Sequence, residues 1–531
     1  MALLQVALVL LAAQSAAAQR LYQRPASFES DCLPSTTTAT TFSSIFPSDF
    51  FLSGDKTSTN GGTTTVTVAQ NFAVKYYPAY KEVTNTLTNE TYILYQCGGT
   101  PPSGSATQGA RLFQIPLTSL TLPDTVPYAF LDILNVTDRV QSVSSFSVAP
   151  CAQKEVSCNR TAVDPSQLGN ATVLGAEVLP LVDGIAGTTP LAEPAPANVP
   201  IFTFSASQDP GTLNRAEWIK FMGLFFNKEK EASDYFDSVT AQYNALKSKG
   251  AAMTDKPVVA WISHFVFDPD EYYQISFSPY KAQYTEDAGG MMLDQAAVAM
   301  VEGVTVDQFS NTTLDFAWNG TQKGFDTQAA ARRAFLGVLA GVDVLIDETY
   351  SFDPTSYNET AFLAEYGISA NAARSLPALN GTSNKVFRED GLVSATGGLD
   401  WFEGAIARPA DVLEDLYGAL TSSDPSAREF TWFRQVEQAP TVVTDAQCTT
   451  QPTCTDVKPT PICPLVKECP DGTIVNLLST SGCEYASCSG DGDATSSSTP
   501  TAAPTSGAAA AAAFAPLAFA GAAAAALLLA C

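Results

Sequence analysis

The alternation of apolar and polar positions divides the chain into short elements separated by Gly, Pro, Asn and Asp. TTTVTVA (63–69) alternates as a half-buried strand does, and TYILYQ (91–96), LFQIPLTSLTL (112–122), VLGAEVLPLV (173–182) and PIFTFSA (200–206) are further strand-like runs. PYAFLDILNV (127–136) has helical spacing between two of them, so the first half reads as an α/β lobe. A long amphipathic stretch follows. Trp218, Met222, Phe225, Ala232, Phe236, Val239, Tyr243 and Leu246 recur at three- and four-residue steps and form one apolar stripe. Asn214 with Glu217 supplies an N-cap pattern, while Lys247, Lys249 and Gly250 supply a cationic last turn and a stop. Unbroken, such a helix reaches about 50 Å, with Asn227 as the candidate bend. Strand and helix then alternate again. KPVVAWISH (256–264), YYQISFS (272–278) and VDVLIDE (342–348) read as strands, and GGMMLDQAAVAMV (289–301), TQAAARRAFLGVLAG (327–341) and ADVLEDLYGAL (410–420) as helices. Helices between strands imply mainly parallel sheets, so the expected fold is α/β: lobe, long helix, lobe.

The two ends are polar-poor and fall outside this pattern. Residues 1–18, MALLQVALVLLAAQSAAA, are an apolar run ending in small residues, the form of a secretory signal peptide, although the start lacks a positive charge. As a membrane helix the stretch is short. GAAAAAAFAPLAFAGAAAAALLLAC closes the chain after a small, polar stretch from Ser489 to Gly507. Small attachment residues, a polar spacer and an apolar tail make a glycolipid (GPI) anchor signal, with attachment in Ser496–Gly507. The alternative is a single-pass tail, but no basic residue follows to hold it. The expected layout is signal peptide 1–18, first lobe 19–211, linker helix 212–250, second lobe 251–440, Cys-rich module 441–490, linker 491–507 and removed tail 508–531.

Cysteine usage fits an exterior compartment. Of the 11 cysteines, loss of Cys531 with the tail leaves an even number, as disulfides require. Six crowd together (Cys448, Cys454, Cys463, Cys469, Cys483, Cys488) without the Cys-x-x-Cys spacing of a zinc site. Cys151 and Cys158 are near enough to close a short loop, leaving Cys32 to pair with Cys97. Sequons at Asn89, Asn135, Asn159, Asn170, Asn311, Asn319, Asn358 and Asn380 suit a glycosylated surface. With 28 basic against 54 acidic residues, the net charge of −26 disfavours nucleic acid and anionic membrane as partners.

Candidate chemistry is sparse. One histidine, His264, removes zincin-type metal sites, and no Gly-x-Ser-x-Gly elbow accompanies it for a triad. No Walker loop and no Gly-x-Gly-x-x-Gly after a strand is present. Acid pairs such as Asp268/Asp270/Glu271 and Glu414/Asp415 are expected by chance among 54 acids, which leaves a carboxylate hydrolase as a minor reading. The expectation is a protein that is not an enzyme. What remains is a set of rings at strand ends and turns: Trp261 with His264, Tyr272 with Tyr273, Tyr280 before a Gly-Gly turn, and Trp401 after another. Ligands dock outside the carboxyl ends of strands in α/β sheets, and rigid amphipathic rings suit such pockets. Ordinary core packing is the alternative at each position.

Four segments carry a resemblance. PYAFLDILNVTDRVQSVS (127–144), EWIKFMGLFFNKEKEASDYFDSVTAQY (217–243), SPYKAQYTEDAGGMM (278–292) and DWFEGAIARPADVLEDLYGAL (400–420) resemble, in order and spacing, the class III periplasmic-type substrate-binding proteins. That family captures ferric siderophores, haem or cobalamin between two α/β lobes joined by one rigid helix. The resemblance implies a solute-binding role, with Trp261, His264, Tyr280, Trp401, Tyr128 and Tyr272 as candidate ligand contacts and no intrinsic cofactor. It makes a ferric-siderophore-like complex the leading ligand, ahead of cobalamin or haem. A GPI-anchored form departs from the bacterial arrangement and implies a surface reductase or endocytic machinery as partner, in place of an importer. An adhesive surface glycoprotein that keeps the fold without a ligand is the competing reading.

Overall fold

The computed structural model describes Cys32, residues 63–450 apart from short gaps at 78, 164–177, 180–181, 189–198, 268, 309, 322 and 381–383, then Cys454 and short strands between 466 and 485. Residues 1–18 and 508–531, expected as a signal peptide and an anchor tail, lie outside these residues, as do Asn170, Cys463, Cys469, Cys483, Cys488 and most of VLGAEVLPLV.

The chain is α/β. The first lobe begins with β1 (Phe72–Tyr76), β2 (Tyr80–Asn85), β3 (Glu90–Gln96) and β4 (Arg111–Ile115), antiparallel up to β3 and parallel between β3 and β4. Five shorter strands form an all-parallel sheet: β5 (Leu120–Thr121), β6 (Val140–Val143), β7 (Ala162–Val163), β8 (Gly184–Gly187) and β9 (Ile201–Thr203), in the order β7-β6-β5-β8-β9. Helix α1 (Val126–Ile133) connects β5 to β6, and α2 (Pro150–Ser157) connects β6 to β7.

TTTVTVA forms no strand. Its backbone is claimed instead by the fully buried carboxylate of Glu217, which accepts from the N–H groups of Thr67 (2.7 Å), Val68 (2.6 Å) and Ala69 (2.7 Å) and from Thr67 Oγ1 (2.6 Å). A buried carboxylate needs such donors, and Lys220 completes the set at 2.7 Å.

The expected single helix is three: α3 (Thr212–Ala216), α4 (Trp218–Leu224) and α5 (Glu229–Ala251). Asn214 lies inside α3, whose N-cap is Gly211. The break falls at Asn227, in left-handed backbone at φ 54°. Asn227 is held there from the first lobe: Lys81 Nζ donates to its Oδ1 at 2.8 Å, and its Nδ2 donates to Gln96 at 2.9 Å. The stripe still joins two cores. Trp218 through Phe236 pack into the first-lobe core, whereas Val239 and Tyr243 pack into a second-lobe core with α5 lying against α9 (Pro409–Thr421).

The second lobe is built on one eight-stranded sheet. Its path is β13 (Thr305–Val306), β14 (Thr313–Asn319), β11 (Asp270–Ser276), β10 (Val258–Phe267), β15 (Val344–Asp347), β16 (Val386–Arg388) and β18 (Arg434–Gln435), with β12 (Met291–Met292) also on β10. The centre, β10-β15-β16, is parallel, and antiparallel strands flank it. Both faces are covered, so β10 and β15 are apolar on both sides. Ala260, Ile262 and Leu345 face one core, while Val259, Trp261, Val344 and Ile346 face the other. Helices α6 (Pro279–Asp287), α7 (Gln295–Ala299) and α8 (Gln328–Leu339) complete the layers; only the end of GGMMLDQAAVAMV is helical, its Met-Met pair being β12. A parallel pair, β17 (Leu392–Ser394) and β19 (Thr441–Val443), closes the lobe.

Disulfides tie the lobes together. Cys32 pairs with Cys97, but Cys151 does not pair with Cys158. Both sit on or just beyond α2 and reach instead to the segment after β19, as Cys151–Cys448 and Cys158–Cys454. A helix holds its side chains apart along its axis, which favours a partner from another element over closure of its own loop.

Candidate functional site

A cavity of about 340 Å³ opens between the lobes. Thr125 and Phe146 come from the first lobe, and the rest of the lining comes from the second. Strand geometry decides which residues reach it, because alternate side chains share a face. From β11 these are Asp270, Tyr272, Gln274 and Ser276; from the adjacent β10 they are Ser263 and Phe265. The residues just past the carboxyl ends of β15 and β16 form another wall: Glu348, Thr349 and Tyr350 after one, Glu389 and Asp390 after the other, with Arg388 as the last residue of β16. Tyr280 and Lys281 enter from the first turn of α6.

The charged groups form a connected set. Lys281 is ion-paired with Glu348, and its ammonium also donates to Ser276 Oγ at 3.3 Å. Burial opposes the charge of Lys281, but the carboxylate of Glu348 beside it holds the ammonium well above the usual lysine range. Arg388 is spent on its neighbours: Nη1 donates to Asp347 (2.5 Å), Nε to Asp390 (2.8 Å) and Nη2 to the carbonyl of Thr349 (2.8 Å). The ring of Tyr357 lies 3.8 Å from its guanidinium, and Arg434 grips Asp390 from the far side at 2.6 Å. Glu389 differs from these carboxylates. It is buried, its Oε2 has no hydrogen-bond partner, and burial followed by repulsion from Glu348 pushes its carboxyl well above the ordinary range.

Of the residues singled out from the sequence, Tyr272 and Tyr280 line the cavity. Trp261 shares the cavity-facing side of β10 with Ser263 and Phe265 but sits deeper. It is fully buried, donates to Thr285 Oγ1 at 3.0 Å, and packs against Trp401 and Phe433. Trp401 is likewise core, so the two tryptophans form the packed floor beneath Lys281, whose ammonium is 5.7 Å from the Trp261 ring. His264 is on the opposite face of β10, stacked on Trp318, with Nδ1 2.5 Å from Glu365. Tyr128 is buried in the first-lobe core. The charged lining was not anticipated, although VLIDETY and VFRED each end an apolar strand in consecutive charges. Seven sequon asparagines, all but Asn170, are exposed, and none of the seven lines the cavity.

No protein-family model matches the chain, and no curated protein does. Solved structures of periplasmic-type binding proteins do. A periplasmic haem-binding protein from Pseudomonas aeruginosa aligns at TM-score 0.37 and 12% identity over 61% of this chain and 99% of its own. An Fe3+-hydroxamate ABC-type transport component from Saccharomonospora viridis aligns at 0.37 and 13%, over 58% and 95%. A possible iron-binding periplasmic solute-binding protein from Staphylococcus epidermidis aligns at 0.37 and 11%, over 58% and 100%. These are distant likenesses, and the ligands in those names belong to those proteins.

Proposed function

We propose that this is a solute-binding protein that captures a small molecule in the cleft between its lobes and, as the narrower reading, an iron complex of the ferric-siderophore type for uptake at the cell surface. The observation that carries the binding role is the cleft itself. It is large enough for a small molecule, walled by Phe265, Tyr272, Tyr280 and Tyr350, and furnished with a few fixed polar groups. The iron complex rests on the four segments that resemble the class III family. The acidic lining disfavours haem, whose propionates would face Asp270 and Asp307. Placement at the outer face of the plasma membrane, by a GPI anchor, rests on the two terminal segments.

Thermal unfolding in the presence of an iron(III) hydroxamate, haem and cobalamin tests the reading. A ligand present at about 100 times its Kd stabilises the folded state by about 2.7 kcal/mol, which raises the Tm by several degrees. The iron(III) hydroxamate is expected to give that rise. Absence of any shift at hundreds of micromolar would remove the iron-complex reading.

A further inference from the structure

Resting on the cleft reading above, we infer that the solute carries a protonated amine, which pairs with the carboxyl of Glu389 between the aromatic walls of the cleft. Three observations converge on this class. The two cations that line the cavity, Lys281 and Arg388, are already engaged by Glu348 and by Asp347 and Asp390, so an anionic group finds no unclaimed cation among the described lining residues. Glu389 is only 5% exposed and lines the cavity, no protein donor reaches its Oε2, and it lies against another carboxyl, Glu348, an arrangement that a cationic ligand relieves. Rings of Phe265, Tyr272 and Tyr350 suit an organic cation, whereas the Tyr280 ring is already covered by the Arg215 guanidinium at 3.5 Å.

Glu389 is faced by Glu348 from just past β15, with which it shares a side-chain hydrogen bond, by Lys281 from α6 and by Arg388, the residue before it. Burial and Glu348 favour its protonated form, and Lys281 and Arg388 offset them only in part. The empty cleft therefore shifts Glu389 toward its protonated form. An incoming ammonium keeps its own protons and shifts Glu389 back toward the carboxylate as the ion pair forms, any proton displaced going to solvent. Binding of an amine then liberates more protons than binding of its neutral analogue.

Isothermal titration calorimetry at pH 7, in two buffers of different ionisation enthalpy, tests this on the whole protein. The probes are an iron(III) hydroxamate chelate bearing a pendant primary amine, the same chelate N-acetylated, and the iron-free pair 2-phenylethylamine and its N-acetyl derivative. The expected result is at least about tenfold tighter binding of an amine than of its acetylated partner, with proton release, and loss of that preference in Glu389→Gln. Should the variant fail to fold, the wild-type preference and proton count decide alone. Equal affinity of amine and acetylated chelate overturns the inference and leaves the cleft reading standing. An amine preference confined to the iron-free pair upholds the inference and removes the iron complex. No binding by any probe overturns both.

Discussion

The two disulfides that strap the lobes together make a quantitative prediction about how their losses combine. Cys151–Cys448 and Cys158–Cys454 each span a sequence separation of nearly 300 residues, 297 and 296. Taken alone, closure of a loop that long lowers the entropy of the unfolded chain by an amount worth about 6 kcal/mol at 25 °C. They run side by side, however. Once either is closed, the other closes a ring of only roughly 13 residues, worth about 3 kcal/mol. Replacing either pair by serine is thus expected to cost about 3 kcal/mol, and replacing both about 9 kcal/mol. The double loss should therefore be about three times either single loss. Guanidinium unfolding of the wild type, the two single-bridge variants and the variant lacking both bridges measures it. Costs that simply add, with the double loss twice the single, would refute the reasoning. So would a single loss as large as the loss of both.

Two further outcomes follow from buried groups. Asp315 is fully buried on β14, accepts from Gln274 Nε2 at 3.0 Å through one oxygen and has no partner for the other. Burial first, then the neighbouring Asp307, pushes its carboxyl up to about 7. Below the ordinary aspartate range it is protonated in both the folded and unfolded states. As pH rises from there to about 7, only the unfolded chain loses the proton, so this group's contribution to stability falls through that window. Asp315→Asn should therefore be stabilising at pH 8 relative to pH 4 by a few kcal/mol at most, and an unchanged pH–stability slope would count against it. Phe225 is fully buried, with its ring 4.1 Å from Phe202 and 5.3 Å from Phe113. Phe225→Asp loses about 3–5 kcal/mol of packing and adds an unpaired buried charge, so circular dichroism should show no cooperative melt. A variant with native-like melting would dissolve the view of α4 as the anchor of the first lobe.

How far the sequence reached is best seen strand by strand. Period-two and helical patterns located β3, β10, β15, α1, α8 and α9 because each buries a continuous face, and burial is what those periods report. TTTVTVA carried the same alternation yet is no strand, because Glu217, 150 residues later, competes for its N–H groups. The stripe from Trp218 to Tyr243 was legible as apolar spacing, but the left-handed turn at Asn227 depends on Lys81 and Gln96 across the lobe, which local spacing does not encode. The partners of Cys151 and Cys158 escaped for the same reason, whereas Cys32–Cys97 was anticipated.

The cleft shows the most instructive difference. The cavity lies past the carboxyl ends of β15 and β16, where such sheets place ligands, but the rings singled out from the sequence stand elsewhere, and of these Tyr272 and Tyr280 line the cavity. Aromatic residues nevertheless proved a poor guide to depth: Trp261 and Trp401 are the floor, since large rings contribute more area buried in a core than lining a wet wall. The better signal was the abrupt change from apolar to charged in VLIDE and VFRED. Strands buried on both faces exclude charge along their length, so consecutive acids at their ends must either meet cations or face a cavity. Asp347, Glu348 and Asp390 meet Arg388, Lys281 and Arg434. Glu389 has cations near it but no protein donor on its Oε2 and a second carboxyl, Glu348, against it, which is why its carboxyl is the proposed partner of a cationic solute.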